Sequence, residues 1–222
     1  MPSSRPHHIP AVIRLLRRLN PNSILDIGVG FGKWGFLFRE YTDIISSEND
    51  VPRYSKPGWK VRIEGVEGHA PYLTPVHDYI YDKVHVGSAI EILQGMESKS
   101  FDFVFMGDVI EHFDKPSGVK VLKECVRIAR KGVLISTPAS VAPQEAVCGN
   151  PLEEHRSFWR PSDFPASEGW QAMKTRGDIL LAFNPAGSSA SPRLSKLIRD
   201  YPRWLAVPLV KIRDTVWPKT NA

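Results

Sequence analysis

The sequence predicts an α/β fold, with a doubly wound, mainly parallel sheet and an antiparallel strand pair at its C-terminal end. Short apolar strands alternate with amphipathic helical segments at the pace of βαβ units. Residues 101–107 (FDFVFMG) are almost wholly apolar, as expected of a strand covered on both faces. With 222 residues the chain can form one well-buried domain. We expect that domain at residues 1–184.

The elements follow one another in a regular order. Apolar residues recur at helical spacing over 9–19, and Asn20-Pro21 ends that helix because a residue before proline leaves the helical region. A short buried strand at 23–28 then enters a glycine-rich turn. The later predictions are a helix at 32–41, a polar inserted loop at 42–58, strands at 59–67, 83–86 and 101–107, a helix at 117–130, a strand at 132–137, and an antiparallel pair at 170–175 and 179–183.

The basic charge belongs to the C-terminal tail. The net charge is +5, and residues 185–222 carry seven Lys or Arg against two Asp, so the first 184 residues balance to zero. A surface-wide attraction to nucleic acid is therefore not expected. The tail has basic, aromatic and amphipathic character over 193–217. It is open to three interpretations: a peripheral membrane contact, a surface for a partner or second subunit, or packing against the domain.

Cysteine usage and the N-terminus indicate a soluble intracellular protein. The chain has two cysteines, Cys125 and Cys148, without metal-ligand pair spacing. We expect neither a disulfide framework nor a metal site, and a reducing compartment. The N-terminal apolar runs are broken by arginines, which fits neither a signal peptide nor a membrane span. The predicted location is the cytoplasm, with the tail allowing contact with the inner face of the membrane.

A glycine-rich loop follows the first strand. Asp26, Gly28, Gly30 and Gly32 form a D-x-G-x-G-x-G spacing, in which glycine permits a tight turn and lets a ligand approach backbone amides. A dinucleotide-binding loop would place a small residue at position 33, where this chain has Lys33. A nicotinamide-dependent oxidoreductase is therefore the less favoured interpretation.

The loop resembles motif I of the class I S-adenosylmethionine-dependent methyltransferases. In that family the acid and the glycines hold the methionine end of the cofactor. The resemblance thus implies that Asp26, Gly28, Gly30 and Gly32 bind S-adenosylmethionine. It also implies the family's seven-stranded, Rossmann-like plan.

Three later segments extend the resemblance over about residues 23–138. The second strand ends in GVE, whose Glu67 is placed to accept hydrogen bonds from ribose hydroxyls, with Glu64 as the mid-strand rival. After the third strand, Ser88-Ala89 stands where relatives often carry Asp-Ala near the adenine. The string GDVIEHF, which is similar to motif IV of a branch acting on small molecules, adds Asp108 and Val109 to the implied cofactor residues.

Three residues are candidates for catalysis. A hydroxyl acceptor must lose its proton, so a carboxylate or histidine is expected beside the cofactor. Glu111 and His112 open the segment after the fourth strand. A catalytic role and a structural role are equally good interpretations, the structural one being a carboxylate that favours a helix start and a packed histidine. His155 lies after the fifth strand, where relatives place substrate-facing residues, and we favour it as the base over a role in capping backbone groups.

The predicted function is transfer of a methyl group to a small-molecule or glycan-like acceptor by in-line displacement, with a hydroxyl as the favoured target. No N-P-P-Y-like string follows the fourth strand, so we do not expect nucleobase methylation or a nucleic-acid partner. The alternative is a catalytically silent protein that binds S-adenosylmethionine and acts in assembly or regulation, with the tail as a surface for forming a homo-oligomer.

Overall fold

The computed structural model describes residues 4, 6–45, 55–147, 149–175, 177–187 and 192–199. Its helices and strands alternate over almost the whole of this range. In chain order they are α1 Ile9–Leu19, β1 Ser23–Ile27, α2 Lys33–Arg39, β2 Arg62–Glu67, α3 Pro75–Ile80, β3 Lys83–Val86, α4 Ala89–Gln94, β4 Phe101–Gly107, α5 Lys115–Ile128, β5 Ala129–Pro138, β6 Gln171–Lys174, β7 Ile179–Asn184 and α6 Leu194–Arg199.

The strands form one seven-stranded sheet in the order β3-β2-β1-β4-β5-β7-β6. The five strands from β1 to β5 pair in parallel, whereas β7 pairs antiparallel with both β5 and β6. The strand order reverses between β1 and β4, and ligands of such sheets bind at the carboxyl ends beside this point. The predicted fold class is confirmed, including the antiparallel pair.

Alternating side chains of the central strands build two cores, one on each face of the sheet. In β4, Val104 and Met106 join the core that contains α4 and α5, whereas Phe103 and Phe105 join the core that contains α1 and α2. Because both faces are covered, all the side chains of β1 and nearly all those of β4 are buried. This two-sided burial explains why these strands are predominantly apolar.

The start of β2 lies later than the sequence predicts. A carboxylate oxygen of Asp43 accepts hydrogen bonds from the backbone N–H groups of Lys60 (2.8 Å) and Val61 (3.4 Å). These N–H groups are therefore not available for pairing between strands. The strand therefore begins at Arg62. The predicted loop is only partly described: a π-helical turn at Glu40–Ile44 opens it, and residues 46–54 lie outside the described residues.

The tail prediction is described only at its beginning. Leu194 is buried, and its N–H donates to the side-chain oxygen of Gln171 at 2.8 Å, so α6 is anchored beside β6. Residues 200–222, which carry most of the predicted amphipathic pattern, lie outside the described residues, as does Cys148. Within the described ranges, no helix is long and apolar enough to cross a membrane.

Candidate functional site

A cavity of about 930 Å³ opens at the carboxyl edge of the parallel strands. Its walls come from the turns after β1, β2, β3 and β4 and from the segment that follows β5. The volume is at the upper end of the range for small-molecule and cofactor sites. Ten of the twelve residues predicted from the sequence as cofactor or catalytic residues line this cavity, and Asp26 and Gly32 do not.

The glycine loop forms the wall after β1. Gly28 (φ +78°), Gly30 (φ +50°) and Gly32 (φ +80°) all adopt the left-handed conformation that favours glycine. A Cβ atom on Gly28 would lie 2.3 Å from Cγ2 of Val109, so the loop and the turn after β4 can approach only because this side chain is absent. Gly28 and Gly30 line the cavity, whereas Gly32 precedes α2 and shapes the turn from outside it.

Asp26 lies behind the glycine loop and is not on the cavity wall. Its Oδ2 accepts a hydrogen bond from the Tyr81 hydroxyl at 2.6 Å, and its Oδ1 is buried without a partner among the described residues. Burial raises the pKa of Asp26 to about 7; the Tyr81 hydrogen bond opposes this shift and the nearby Glu67 charge adds to it. The position of Asp26 suits support of the loop from behind, and its direct contact with the cofactor stays a prediction.

Glu67 occupies the wall after β2 and holds the glycine loop. Its Oε2 accepts from the N–H of Gly30 at 3.0 Å, and its Oε1 accepts from the N–H of His69 at 2.8 Å. The carboxylate is buried and faces the cavity, as the resemblance implies. The rival Glu64 pairs instead with Arg62 and His85, at 2.7 Å each, and does not line the cavity.

The other predicted cofactor residues also lie on the cavity wall. Ser88 and Ala89 follow β3, and Asp108 and Val109 follow β4. Asp108 has φ +54°, a strained conformation for a residue with a side chain. It is held there because its N–H donates to the Ser136 carbonyl at 2.9 Å and its carboxylate accepts from the Ser136 hydroxyl at 2.9 Å.

Glu111, His112 and His155 meet at the floor of the same cavity. One ligand-type atom from each of these side chains lies within 4.8 Å of the other two. Their rings and carboxylate come from two separate segments, the 3-10 turn Ile110–His112 and the loop after β5. The two imidazole rings meet edge to face, with centroids 5.0 Å apart. We refer to these three residues as the cavity triad.

Backbone hydrogen bonds bring the two segments of the triad together. The carbonyl oxygen of Glu111 accepts from the N–H groups of Arg156 (2.8 Å) and Ser157 (3.0 Å). Nearby, the indole N–H of the buried Trp159 donates to the carbonyl of Ile110 at 3.2 Å. The spacing along the chain could not indicate this encounter, which is why the sequence pattern predicted no metal-ligand cluster.

The triad has an electrostatic environment shaped by burial and by neighbouring carboxylates. Burial raises the pKa of Glu111 well above its usual value, and the charges of Asp108 and Glu153 raise it further, against a hydrogen bond from the Thr137 hydroxyl. Burial also lowers the pKa of His112. A neutral imidazole and a carboxyl group whose charge is disfavoured by its neighbours can accept a proton or bind a cation.

Several cavity residues carried no recognisable signal in the sequence. Ser4 lines the cavity, where its hydroxyl accepts from the indole N–H of Trp34 at 2.8 Å and its carbonyl accepts from the Lys33 ammonium group. Burial lowers the pKa of Lys33, and the charge of Asp108 opposes this shift. The Tyr72 hydroxyl, which donates to Glu153 at 3.0 Å, also lines the cavity.

The cavity fits the cofactor that the resemblance implies. The positive-φ glycines Gly28 and Gly30 leave one wall of the cavity without side chains, so a ligand can approach the backbone there. The buried acid Glu67 stands at the next strand end, where ribose hydroxyls are bound in such sheets. Polar and apolar groups after β3 and β4 complete an elongated wall around Ser88 and Val109. These residues would hold the adenosyl and methionine parts along one side of the cavity.

Comparisons with known proteins agree with this arrangement. The family model described as a methyltransferase domain matches residues 25–136. A search of curated proteins finds no match. A solved S-adenosylmethionine-dependent methyltransferase from Archaeoglobus fulgidus superposes with a TM-score of 0.53 at 14% identity, over 79% of this chain and 93% of that one. The DhpI–SAH complex superposes with a TM-score of 0.52 at 17% identity, over 82% of this chain and 88% of that one.

A Galdieria sulphuraria protein, provisionally assigned as a sarcosine dimethylglycine methyltransferase, is similar at 23% identity with a TM-score of 0.42, over 59% of this chain. The chain spans only 45% of that protein. At these identities the structural likenesses concern the fold, whereas the family model covers half of the chain and includes the glycine loop, Glu67 and Asp108. The chain therefore belongs to the methyltransferase domain family, and its cofactor is S-adenosylmethionine.

Proposed function

We propose that the chain is an O-methyltransferase that acts on a hydroxyl of a small-molecule or glycan-like acceptor. The observation that carries this proposal is that one continuous cavity of about 930 Å³ contains both the glycine loop and the cavity triad. The cofactor supplies an electrophilic methyl group that moves by in-line displacement. The chain's own residues would align the acceptor, exclude water and deal with the hydroxyl proton.

The triad favours an acceptor that must lose a proton. An aliphatic hydroxyl is a weak nucleophile, so its ionisation has to accompany methyl transfer. Nδ1 of His155 donates to the carbonyl of Ala142, which leaves Nε2 of the neutral ring able to accept a proton. His155 in turn contacts His112, and Glu111 lies beside both rings.

The wall around the triad favours a polyhydroxylated acceptor. The segment after β5 contributes the polar residues Gln144, Asn150 and Arg156 to the lining, and Tyr72 adds a hydroxyl that accepts a hydrogen bond from Nδ2 of Asn150 at 3.1 Å. Arg156 is exposed enough to meet an anionic substituent, although its Nε also lies 3.2 Å from Glu154. Sugars and sugar-like molecules present many hydroxyls that such groups recognise by hydrogen bonds.

A matched set of acceptors tests the proposal. The full chain is incubated with methyl-labelled S-adenosylmethionine and with sugars, phenols and polyols, each paired with an analogue in which an amine or thiol replaces the hydroxyl. We expect labelled O-methyl ethers, identified from the chemical shift of the methyl carbon. Label found only on nitrogen or sulfur would reject the hydroxyl target. Binding of S-adenosylhomocysteine without turnover on any acceptor would favour a silent cofactor-binding protein.

Replacement of His155 tests whether the triad contributes to methyl transfer. For His155→Ala we expect a loss of turnover of about 100-fold or more, as for removal of a general base or an equivalent activating group. Affinity for S-adenosylhomocysteine should stay unchanged because the His155 ring contacts Ala142 and His112, which lie outside the glycine loop. A matched control is His85→Ala, which removes another half-buried histidine next to a glutamate outside the cavity. Unchanged turnover of His155→Ala would remove this residue from the reaction.

A further inference from the structure

The cavity triad has the composition of a metal site. Glu111 offers a carboxylate oxygen and His112 and His155 each offer an imidazole nitrogen, all within 4.8 Å of one another. Atoms bound at about 2.1 Å to one ion lie at most about 4.2 Å apart. In a tetrahedral site such atoms lie about 3.4 Å apart, so side-chain rotations that close the separation by about 1.5 Å would allow all three to ligate a single cation.

Hydrogen bonds orient the two rings for ligation through the same nitrogen. Nδ1 of His112 lies 3.1 Å from the carbonyl oxygen of Glu154, and Nδ1 of His155 contacts the carbonyl oxygen of Ala142. A carbonyl only accepts hydrogen bonds, so each Nδ1 is the protonated nitrogen and each Nε2 keeps its lone pair. Backbone carbonyls commonly fix metal-binding histidines in this way.

Hydrogen bonds also fix the carboxylate of the triad. The Thr137 hydroxyl donates to Oε2 of Glu111 at 3.0 Å, which leaves the second carboxylate oxygen for a cation. Glu111 is only 2% exposed, and its carbonyl is fixed by the backbone of Arg156 and Ser157. A buried carboxylate beside the carboxylates of Asp108 and Glu153 gains when a positive charge arrives.

The ligand set selects the class of cation. Two imidazoles and one carboxylate suit first-row transition metals such as Mn²⁺, Fe²⁺, Co²⁺ and Zn²⁺, whereas Mg²⁺ prefers oxygen ligands and keeps several waters. Three protein ligands leave positions open, as in catalytic metal sites. The open side faces the cavity, since all three residues line it.

We propose that Glu111, His112 and His155 bind one divalent transition-metal cation, whose open position receives the acceptor's hydroxyl. Cation binding itself needs only the triad; its role in catalysis rests on the proposed function. Ligation lowers the pKa of the hydroxyl, so the O–H bond breaks and the proton leaves to water. The oxygen then forms a bond to the methyl carbon while the carbon–sulfur bond breaks and the sulfur keeps the electron pair. The cation is neither oxidised nor reduced.

Equilibrium dialysis with Co²⁺ tests binding without reference to activity. The full chain is first stripped with a chelator, and bound cobalt is then measured by elemental analysis and by its visible absorption. We expect one Co²⁺ per chain for the wild type and for His85→Ala. For His155→Ala and His112→Ala we expect the cobalt affinity to fall by at least about tenfold.

Cofactor binding distinguishes loss of the site from loss of the fold. Calorimetry with S-adenosylhomocysteine should give the same affinity for the wild type and for the His112 and His155 variants. Cobalt binding that is equal in wild type and in these variants, or absent in a wild-type chain that binds S-adenosylhomocysteine, would overturn the proposed site. Should one of the alanine variants not fold, Glu111→Gln, which preserves side-chain shape, provides the same comparison.

Methyl transfer by the stripped chain separates the two proposals. Loss of O-methylation on stripping, with recovery on addition of Mn²⁺ or Co²⁺, supports the catalytic role. Full O-methylation by a verified metal-free chain would overturn that role while leaving the O-methyltransferase proposal intact, with His155 as the base. Binding of one cobalt ion per chain without methylation of any hydroxyl would support the proposed metal site. It would count only against the proposal that the acceptor group is a hydroxyl.

Discussion

At the scale of single residues, the turn around Gly28 decides whether the cofactor can approach the sheet. Its φ of +78° requires glycine, and the 2.3 Å approach to Val109 Cγ2 leaves no space for a methyl group. These are separate requirements. Any other residue would destabilise the loop by about 1–2 kcal/mol in this conformation. Its Cβ atom would also displace the turn that carries Asp108 and Val109.

Gly28→Ala tests this close approach. We expect at least a tenfold loss of S-adenosylhomocysteine affinity, measured by calorimetry, because both the loop and the turn after β4 must move. Gly169→Ala is the matched control, since Gly169 also has positive φ (+86°) but a Cβ there would meet only ordinary contacts with Asn184. An affinity of Gly28→Ala equal to that of Gly169→Ala would contradict the claim that the close approach of Gly28 and Val109 is needed for cofactor binding.

Asp26 illustrates a residue whose role the sequence could not settle. The resemblance correctly places an acid at the end of β1, but a motif does not reveal that Tyr81, from a distant part of the chain, donates to it in the interior. Burial then raises the pKa of Asp26 to about 7. By contrast Glu67, chosen over Glu64 because it ends its strand, does lie on the cavity wall.

Asp26 should make stability depend on pH. An acid with a raised folded-state pKa binds more protons in the folded chain, so the free energy of unfolding falls as pH rises from about 4 to about 7. The contribution is of order 4 kcal/mol at most, at about 1.4 kcal/mol per pKa unit. Denaturant unfolding at several pH values should show Asp26→Asn gaining stability relative to wild type across this window.

The exposed Asp78 gives the control for the Asp26 measurement. Asp78→Asn should follow the wild-type profile over the same pH range. A wild-type profile parallel to that of Asp26→Asn would show that the buried carboxyl does not titrate with folding in this window.

At the scale of secondary-structure elements, α5 positions the loop that carries His155. Trp159 packs against α5 where Gly118 leaves space: a Cβ atom on Gly118 would lie 2.5 Å from Cζ2 of the indole. The ammonium group of Lys115 lies 3.8 Å from the centre of the same ring. A glycine within a helix normally weakens it, so its presence here is explained by the close packing of Trp159.

Gly118→Ala should therefore reduce activity more than cofactor binding. The methyl group would push Trp159 outward at a cost of about 1–3 kcal/mol, which exceeds the gain of about 0.5–1 kcal/mol from helix propensity. We expect lower kcat with S-adenosylhomocysteine affinity preserved. Gly95→Ala, at the end of α4, is the control because a Cβ there meets nothing closer than 3.5 Å. A Gly118→Ala variant more stable than wild type would contradict this packing argument.

Elements buried on both faces were predictable, and short ones were not. The strands β1 and β4 stand where their apolar runs predict them. The six-residue helices α3 and α4 are too short to show a helical period, although His77 of α3 holds the glycine loop through a 2.8 Å contact with the carbonyl of Gly30. The later start of β2 depends on Asp43, a tertiary contact that no local pattern contains.

At the scale of the whole molecule, the parallel sheet brings distant residues to one edge. The position of the predicted cofactor residues at this edge followed from the sequence, because they stand at or just after the ends of recognisable strands. The cavity triad could be predicted only as separate candidates, since Glu111 and His155 approach through backbone hydrogen bonds between loops. Their common location in one cavity supports the proposal that this cavity binds both the methyl donor and the acceptor.

The most direct test of this account is a single-turnover measurement of methyl transfer to a hydroxyl acceptor, made with wild type and His155→Ala at saturating S-adenosylmethionine. We expect a labelled O-methyl product from the wild type and a rate at least about 100-fold lower from the variant. Equal rates for the two proteins, with S-adenosylhomocysteine affinities also equal, would contradict the claim that methyl transfer takes place at the cavity triad.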